Sequence, residues 1–185
     1  ALMANQGADG RISLREALLA ANNSANGPGG ADRIGFALPG APTGGAWTVT
    51  LGAALPTVTD AVEIDATTQP GFAGTPVVAL DGAGGNFSAI TLGSTADGSL
   101  VRGLLIHNFG YVGIDVQAGA DHNTVVGNWI GAIDASGAYA AGAGLVYPGI
   151  TVNGSHNQIG GSTAADRNIV VGDTRHGIAI GGSDN

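Results

Sequence analysis

Three groups of residues in this chain have the types and spacing to do chemistry. His122, His156 and Asp184 each stand immediately before an asparagine in segments that repeat one another, so they recur at one place in a repeated unit. Imidazoles stacked one per unit, at the roughly 4.8 Å spacing of paired strands, would share a metal ion if a third imidazole completed the set. Here the third position is a carboxylate, so recurrence of an exposed turn residue is the simpler reading and no metal site is expected. The second group centres on Asp115, whose column across the repeats reads Thr91, Asp115, Thr151, Ala179. One carboxylate cannot supply the acid and base pair of glycoside hydrolysis, nor the several oxygens of a calcium site. Asp115 therefore reads as a solvated surface residue. The third group is the insertion from Asp134 to Tyr147, where Asp134, Tyr139 and Tyr147 suit stacking on a sugar. Asp9-Gly10, Asp81-Gly82 and Asp97-Gly98 have turn chemistry, and an Asp-rich solenoid admits calcium, but none has the spacing of a known calcium loop. No nucleotide-binding loop, Ser-His-Asp order or metalloprotease motif is visible. No catalytic residue and no cofactor is expected.

The elements that must position these residues are repeats. Gly149 through Asn157 recurs as Gly177 through Asn185, and Gly113 through Asn123 is the same unit with an insertion. Ala89-Ile90-Thr91-Leu92 is an earlier copy. Each unit holds a short Ile-x-Val strand, whose middle residue points outward, then a second strand after Asn, then a third. The third strands are Leu104-Leu105-Ile106, Asn128-Trp129-Ile130 and Asn168-Ile169-Val170. Three strands per roughly 25 residues, with Gly and Asn at the corners, describe one coil of a parallel β-helix, in which coils stack on a shared core. Asn123, Asn157 and Asn185 are expected to form a corner ladder, each side chain bonding the next coil. Corner Asn also tolerates a left-handed backbone. Residues 46–185 are assigned to about five or six such coils.

Residues 1–45 read as an N-terminal cap. Ser13 and Glu16 form a capping box. Leu14, Ala17, Leu18 and Ala21 then share one face of a helix over 14–22. Ile34 through Leu38 and Trp47 through Leu51 alternate as strands. The end of a β-helix exposes unpaired strand edges, and an amphipathic helix before the first coil covers one such end. Arg15 is expected to tie it down by pairing with Asp9 or Asp32. No equivalent cap follows Asn185, so further coils of the same chain, or end-to-end self-association, are expected there.

Composition fits this architecture. Of 185 residues 34 are Gly, aromatics are 5%, and there is no Cys, which excludes a disulfide scaffold. Lysine is absent, and a net charge of -8 argues against a nucleic-acid partner. No apolar run reaches the roughly 18 residues of a membrane span.

Gly7-Ala8-Asp9-Gly10-Arg11-Ile12-Ser13-Leu14-Arg15-Glu16-Ala17-Leu18, followed by Ala20-Ala21-Asn22, resembles the start of CSLREA-type domains, with Ile12 at the position of the family's Cys. Ala31 through Phe36, Ala66 through Phe72, Asn128 through Gly131 and Ile159 through Gly161 are also similar to that family. The resemblance implies a right-handed parallel β-helix in a large secreted or cell-surface bacterial or archaeal protein, with no established reaction. On this reading the chain is an extracellular, non-catalytic structural or adhesive solenoid whose Thr-rich faces contact glycans, a partner protein or further copies. The competing expectation is a polysaccharide-active lyase or hydrolase whose catalytic residues lie outside the covered coils or in the Asp134–Tyr147 insertion.

Overall fold

Apolar residues at alternate positions, interrupted every few residues by Gly, Asn or Ser, can form only short strands. The computed structural model describes residues 10–142, 144, 147–172 and 176–185. In chain order its elements are α1 (Leu14–Asn22), β1 (Asp32–Gly35), β2 (Trp47–Thr50), β3 (Val62–Asp65), β4 (Val78–Asp81), β5 (Ile90–Leu92), β6 (Leu100–Arg102), β7 (Leu104–His107), β8 (Ile114–Val116), β9 (Thr124–Val126), β10 (Trp129–Gly131), β11 (Ile150–Val152), β12 (Gln158–Ile159), β13 (Ile169–Val171) and β14 (Ile178–Ile180). Two 3-10 turns, Ala66–Thr68 and Ala164–Asp166, complete the regular structure of the described residues. The fold is all-β, with every pair of strands parallel.

The strands form three sheets. Sheet I runs β1-β3-β6-β9-β12, sheet II runs β2-β4-β7-β10-β13, and sheet III runs β5-β8-β11-β14. From β3 onward the chain visits I, II and III in strict rotation. A lone parallel bridge between Val58 and Leu92 extends sheet III to the stretch before β3. One cluster of side chains lies between the sheets. Ile64, Val101 and Val125 come from sheet I; Leu80, Leu104, Ile106 and Ile130 come from sheet II; Ile90, Ile114 and Ile150 come from sheet III. Each such side chain contributes roughly 1.5–3 kcal/mol by leaving water. A second apolar cluster sits on the opposite face of sheet II. Ala79 stands opposite Leu105, Leu105 opposite Trp129, and Trp129 opposite Ile169. Ala46 and Ile133 pack against this stripe. The segment after β10 doubles back to cover it, through an antiparallel bridge between Ile133 and Tyr139 and a bond from the Ala140 N–H to the Ala132 carbonyl (3.0 Å).

Helix α1 starts at a capping box. The Ser13 N–H donates to Glu16 Oε2 (2.8 Å), and the Glu16 N–H donates to Ser13 Oγ (3.2 Å). Leu14, Leu18 and Ala21 are buried in the main cluster. Arg15 ties the helix down through backbone carbonyls among the described residues. Its guanidinium donates to the carbonyls of Ala54 (2.7 Å) and Ala53 (2.9 Å) rather than pairing with Asp32, because that backbone after β2 has no strand neighbour to accept from. Asp9, the other expected partner, lies outside the described residues. Asn22 works similarly: its amide donates to Thr57 O (2.7 Å) and accepts from the Thr59 N–H (2.9 Å).

The first strand is displaced from its expected position over Ile34 to Leu38. β1 ends at Gly35 because its neighbour in sheet I curls into the 3-10 turn after Asp65, leaving no backbone ladder beyond it. Side chains substitute. The Phe36 N–H donates to Thr68 Oγ1 (2.7 Å), and the Leu38 N–H donates to Gln69 Oε1 (2.7 Å). β1 pairs in register with β3, so sheet I runs unbroken across the boundary drawn at residue 45.

Candidate functional site

Strands β8 and β11 are in register, with Ile114 opposite Ile150, Asp115 opposite Thr151 and Val116 opposite Val152. The isoleucines and valines are buried, so the middle residue of each strand faces outward. Three residues before each isoleucine stands a tyrosine, Tyr111 and Tyr147. In-register stacking brings the two rings to 4.5 Å between centroids, tilted by 48°. Tyr111, Tyr147, Asp115, Thr151, Gln117 and Asn153, with His176 at one side, line an open recess of about 690 Å³ on the outer face of sheet III. Thr151 Oγ1 donates to Asp115 Oδ1, which holds the carboxylate in place, and Asp115 is half-buried rather than fully solvated. The recess offers an aromatic platform, one fixed acceptor and two amides. Among the described lining residues Asp115 is the sole carboxylate and there is no arginine.

Sequence reasoning set Asp115 beside Thr151 in one column but left Tyr147 apart from them, and it missed Tyr111, Gln117 and Asn153. The signal was present: extending the repeat three residues before its isoleucine aligns Tyr111 with Tyr147. The Asp134–Tyr147 insertion does not act as a unit. Asp134 Oδ1 accepts from the Ser136 hydroxyl (2.6 Å), the Ser136 N–H (2.8 Å) and the Ala138 N–H (3.1 Å). These bonds, led by the one from the Ser136 hydroxyl, hold its carboxyl below the usual value. Tyr139 is 70% exposed and is not among the recess residues.

Asn123 and Asn157 are buried, and both act through their side-chain oxygens. The Ser99 N–H donates to Asn123 Oδ1 (2.7 Å), the Asn123 N–H to Asn157 Oδ1 (2.8 Å) and the Asn157 N–H to Asn185 Oδ1 (2.8 Å). Ser99 Oγ continues the series by accepting from the Val62 N–H (3.1 Å). A second series, missed in the sequence, precedes sheet II. The Leu104 N–H donates to Asn128 Oδ1 (3.1 Å), and the Asn128 N–H donates to Asn168 Oδ1 (3.0 Å). The rounds approach closely beside the first series: a Cβ on Gly154 would lie 1.9 Å from the Ala120 carbonyl oxygen.

The left-handed corner residue is not the asparagine. It is the residue before it: His122 (φ 58°), His156 (φ 58°) and Asp184 (φ 57°), with Gly98 (φ 78°) at the same place before Ser99. The chain must turn there so that the following asparagine can point inward. This explains the recurring histidines. The rings of His122 and His156 lie face to face, 5.0 Å apart and 10° from parallel, and His156 Nδ1 is 4.0 Å from Asp184 Oδ2. Parallel rings do not converge on a point, and among the described residues no group of three His, Cys, Asp or Glu could hold a metal ion.

The remaining acidic turn residues serve the backbone. Asp97 Oδ1 accepts from the Asp121 N–H (2.8 Å), and Asp81 Oδ1 accepts from the Ala83 N–H (2.9 Å) and Asn108 Nδ2 (2.9 Å). On the outer face of sheet I, burial pushes the Asp65 carboxyl up, but bonds from Arg102 (2.6 Å) and Thr67 outweigh it and leave the carboxyl below its ordinary value. His107, half-buried at the end of β7, is pushed below the ordinary histidine value by loss of water, with Asp81 opposing. No protein-family model, curated protein or solved structure matches the chain.

Proposed function

We propose that the three parallel sheets are the faces of a right-handed parallel β-helix of the CSLREA kind, and that the chain is a non-catalytic structural and adhesive module working outside the cell or on its surface. The strict rotation of strands among three sheets around one core supports the solenoid. Right-handedness follows the rule that about 98% of parallel crossover connections have that hand. Among the described residues no helix is long and apolar enough to cross a membrane. The observation that carries the non-catalytic reading is the recess on sheet III. Its carboxylate is already engaged by Thr151, and no second carboxylate is among the described residues that line it. A site of this composition can hold a ligand but lacks the acid and base pair that cleaves a glycosidic bond. The test is an assay of the 185-residue chain against acidic and neutral polysaccharides, reading reducing ends and unsaturated products. No product above the no-protein blank is expected. Turnover abolished by Asp115→Asn would overturn the reading in favour of a polysaccharide-active enzyme.

A further inference from the structure

We propose that the recess on sheet III is a binding site for a neutral pyranose unit of a glycan. This rests on the adhesive reading and names its ligand. The first argument is placement. The two rounds that contain β8 and β11 carry Tyr111, Asp115 and Gln117, and Tyr147, Thr151 and Asn153, at matching positions. The strands on either side carry Thr91 and Gly93, and Ala179 and Gly181, at the corresponding strand positions, while Phe87, at the tyrosine position before β5, packs against the core. A stacked tyrosine pair, a carboxylate and two amides are thus concentrated on two adjacent strands. A solenoid surface decorated only for solubility has no reason to group them so.

The second argument is chemistry. A pyranose has an apolar face of C–H groups and an equator of hydroxyls. Tyr111 and Tyr147 provide a ring surface for the first, with Tyr111 41% exposed. Asp115 keeps lone pairs for ligand hydroxyls, since Thr151 occupies only one of them. Gln117 and Asn153, both exposed, each donate and accept. The third argument is charge. An acidic sugar would bring its carboxylate toward Asp115, where His176 is the only basic side chain among the described lining residues, in a chain of net charge -8. That weighs against polyuronates and favours neutral sugars.

Binding is measured by calorimetry and affinity electrophoresis with soluble glucans, mannans, galactans and xylans, and with polygalacturonate as the acidic probe. Saturable binding to at least one neutral glycan is expected. Tyr111→Ala and Tyr147→Ala should each weaken it on the order of tenfold or more, while Tyr139→Ala, outside the recess, leaves it unchanged. Gln117→Ala and Asn153→Ala change exposed side chains and should weaken binding severalfold even if a tyrosine variant fails to fold. No binding to any neutral glycan, a preference for polygalacturonate, or binding indifferent to the recess variants would overturn the proposal. Binding accompanied by cleavage would leave this site standing and overturn the non-catalytic reading alone.

Discussion

Asn157 does two things at once: its side-chain oxygen accepts from the Asn123 backbone N–H, while its own backbone N–H donates to Asn185 Oδ1. Neither bond belongs to a strand ladder. Truncation to alanine leaves the buried Asn123 N–H without an acceptor. Asn157→Ala is therefore expected to cost about 1–3 kcal/mol, read as a lowered midpoint in thermal or urea unfolding. An unchanged midpoint would show that the oxygen series contributes nothing. His107 tests a different property of a single residue. Its folded pKa lies below the ordinary 6.5, so the unfolded chain binds the proton more readily. Stability from this group is present above about pH 6.5 and falls as the pH drops from there toward the lower folded value. His107→Gln should flatten that part of the stability profile. Melting curves between pH 7.5 and 5 check this, and an identical slope in parent and variant would refute it.

Among the elements, α1 bears the clearest consequence. Leu18 is 1% exposed and sits in the main core cluster, and the helix packs on β1 at the edge of sheet I. Leu18→Asp would place an unpaired carboxylate in apolar surroundings and detach the helix from that edge. The variant should melt at a markedly lower temperature and aggregate. Unchanged solubility and melting would remove α1 from its covering role. The segment after β10 illustrates the reverse case. It carries Asp134 and Tyr139, yet its observed work is to cover the stripe of Ala79, Leu105, Trp129 and Ile169 on sheet II.

For the molecule as a whole, the consequential surface is the edge formed by β12, β13 and β14. Ile178 is 42% and Ile180 57% exposed, on a strand that pairs on one side with β11. Backbone groups and apolar side chains presented together accept further strands readily. Another copy of this chain stacked end to end would supply such strands. A head-to-tail contact of that sort does not close on itself and gives filaments. The 185-residue chain should show concentration-dependent association by light scattering, and Ile180→Lys should suppress it. Association that is unaffected by Ile180→Lys places the contact elsewhere. A monomer at every concentration removes the end-to-end version.

What the chain's letters alone determined is whatever repeats locally. The Ile-x-Val strands, the Ser13–Glu16 capping box and the one-per-round asparagines are legible because each depends on backbone geometry and side-chain direction within a few residues. The inward isoleucines and outward Asp115 and Thr151 follow from the two-residue period of a strand. The tertiary structure decided what depends on register accumulated over whole rounds. Tyr111 meets Tyr147 only because two distant strands align with no slip. Arg15 finds the Ala53 and Ala54 carbonyls, rather than Asp32, because a backbone stretch far along the chain lacks a strand neighbour. The left-handed turn falls on His122 and His156, not on the asparagines, because burying the next side chain dictates where the chain must turn. Local preference selects the elements, but only packing between rounds selects which side chains share a surface, and so where a ligand can sit.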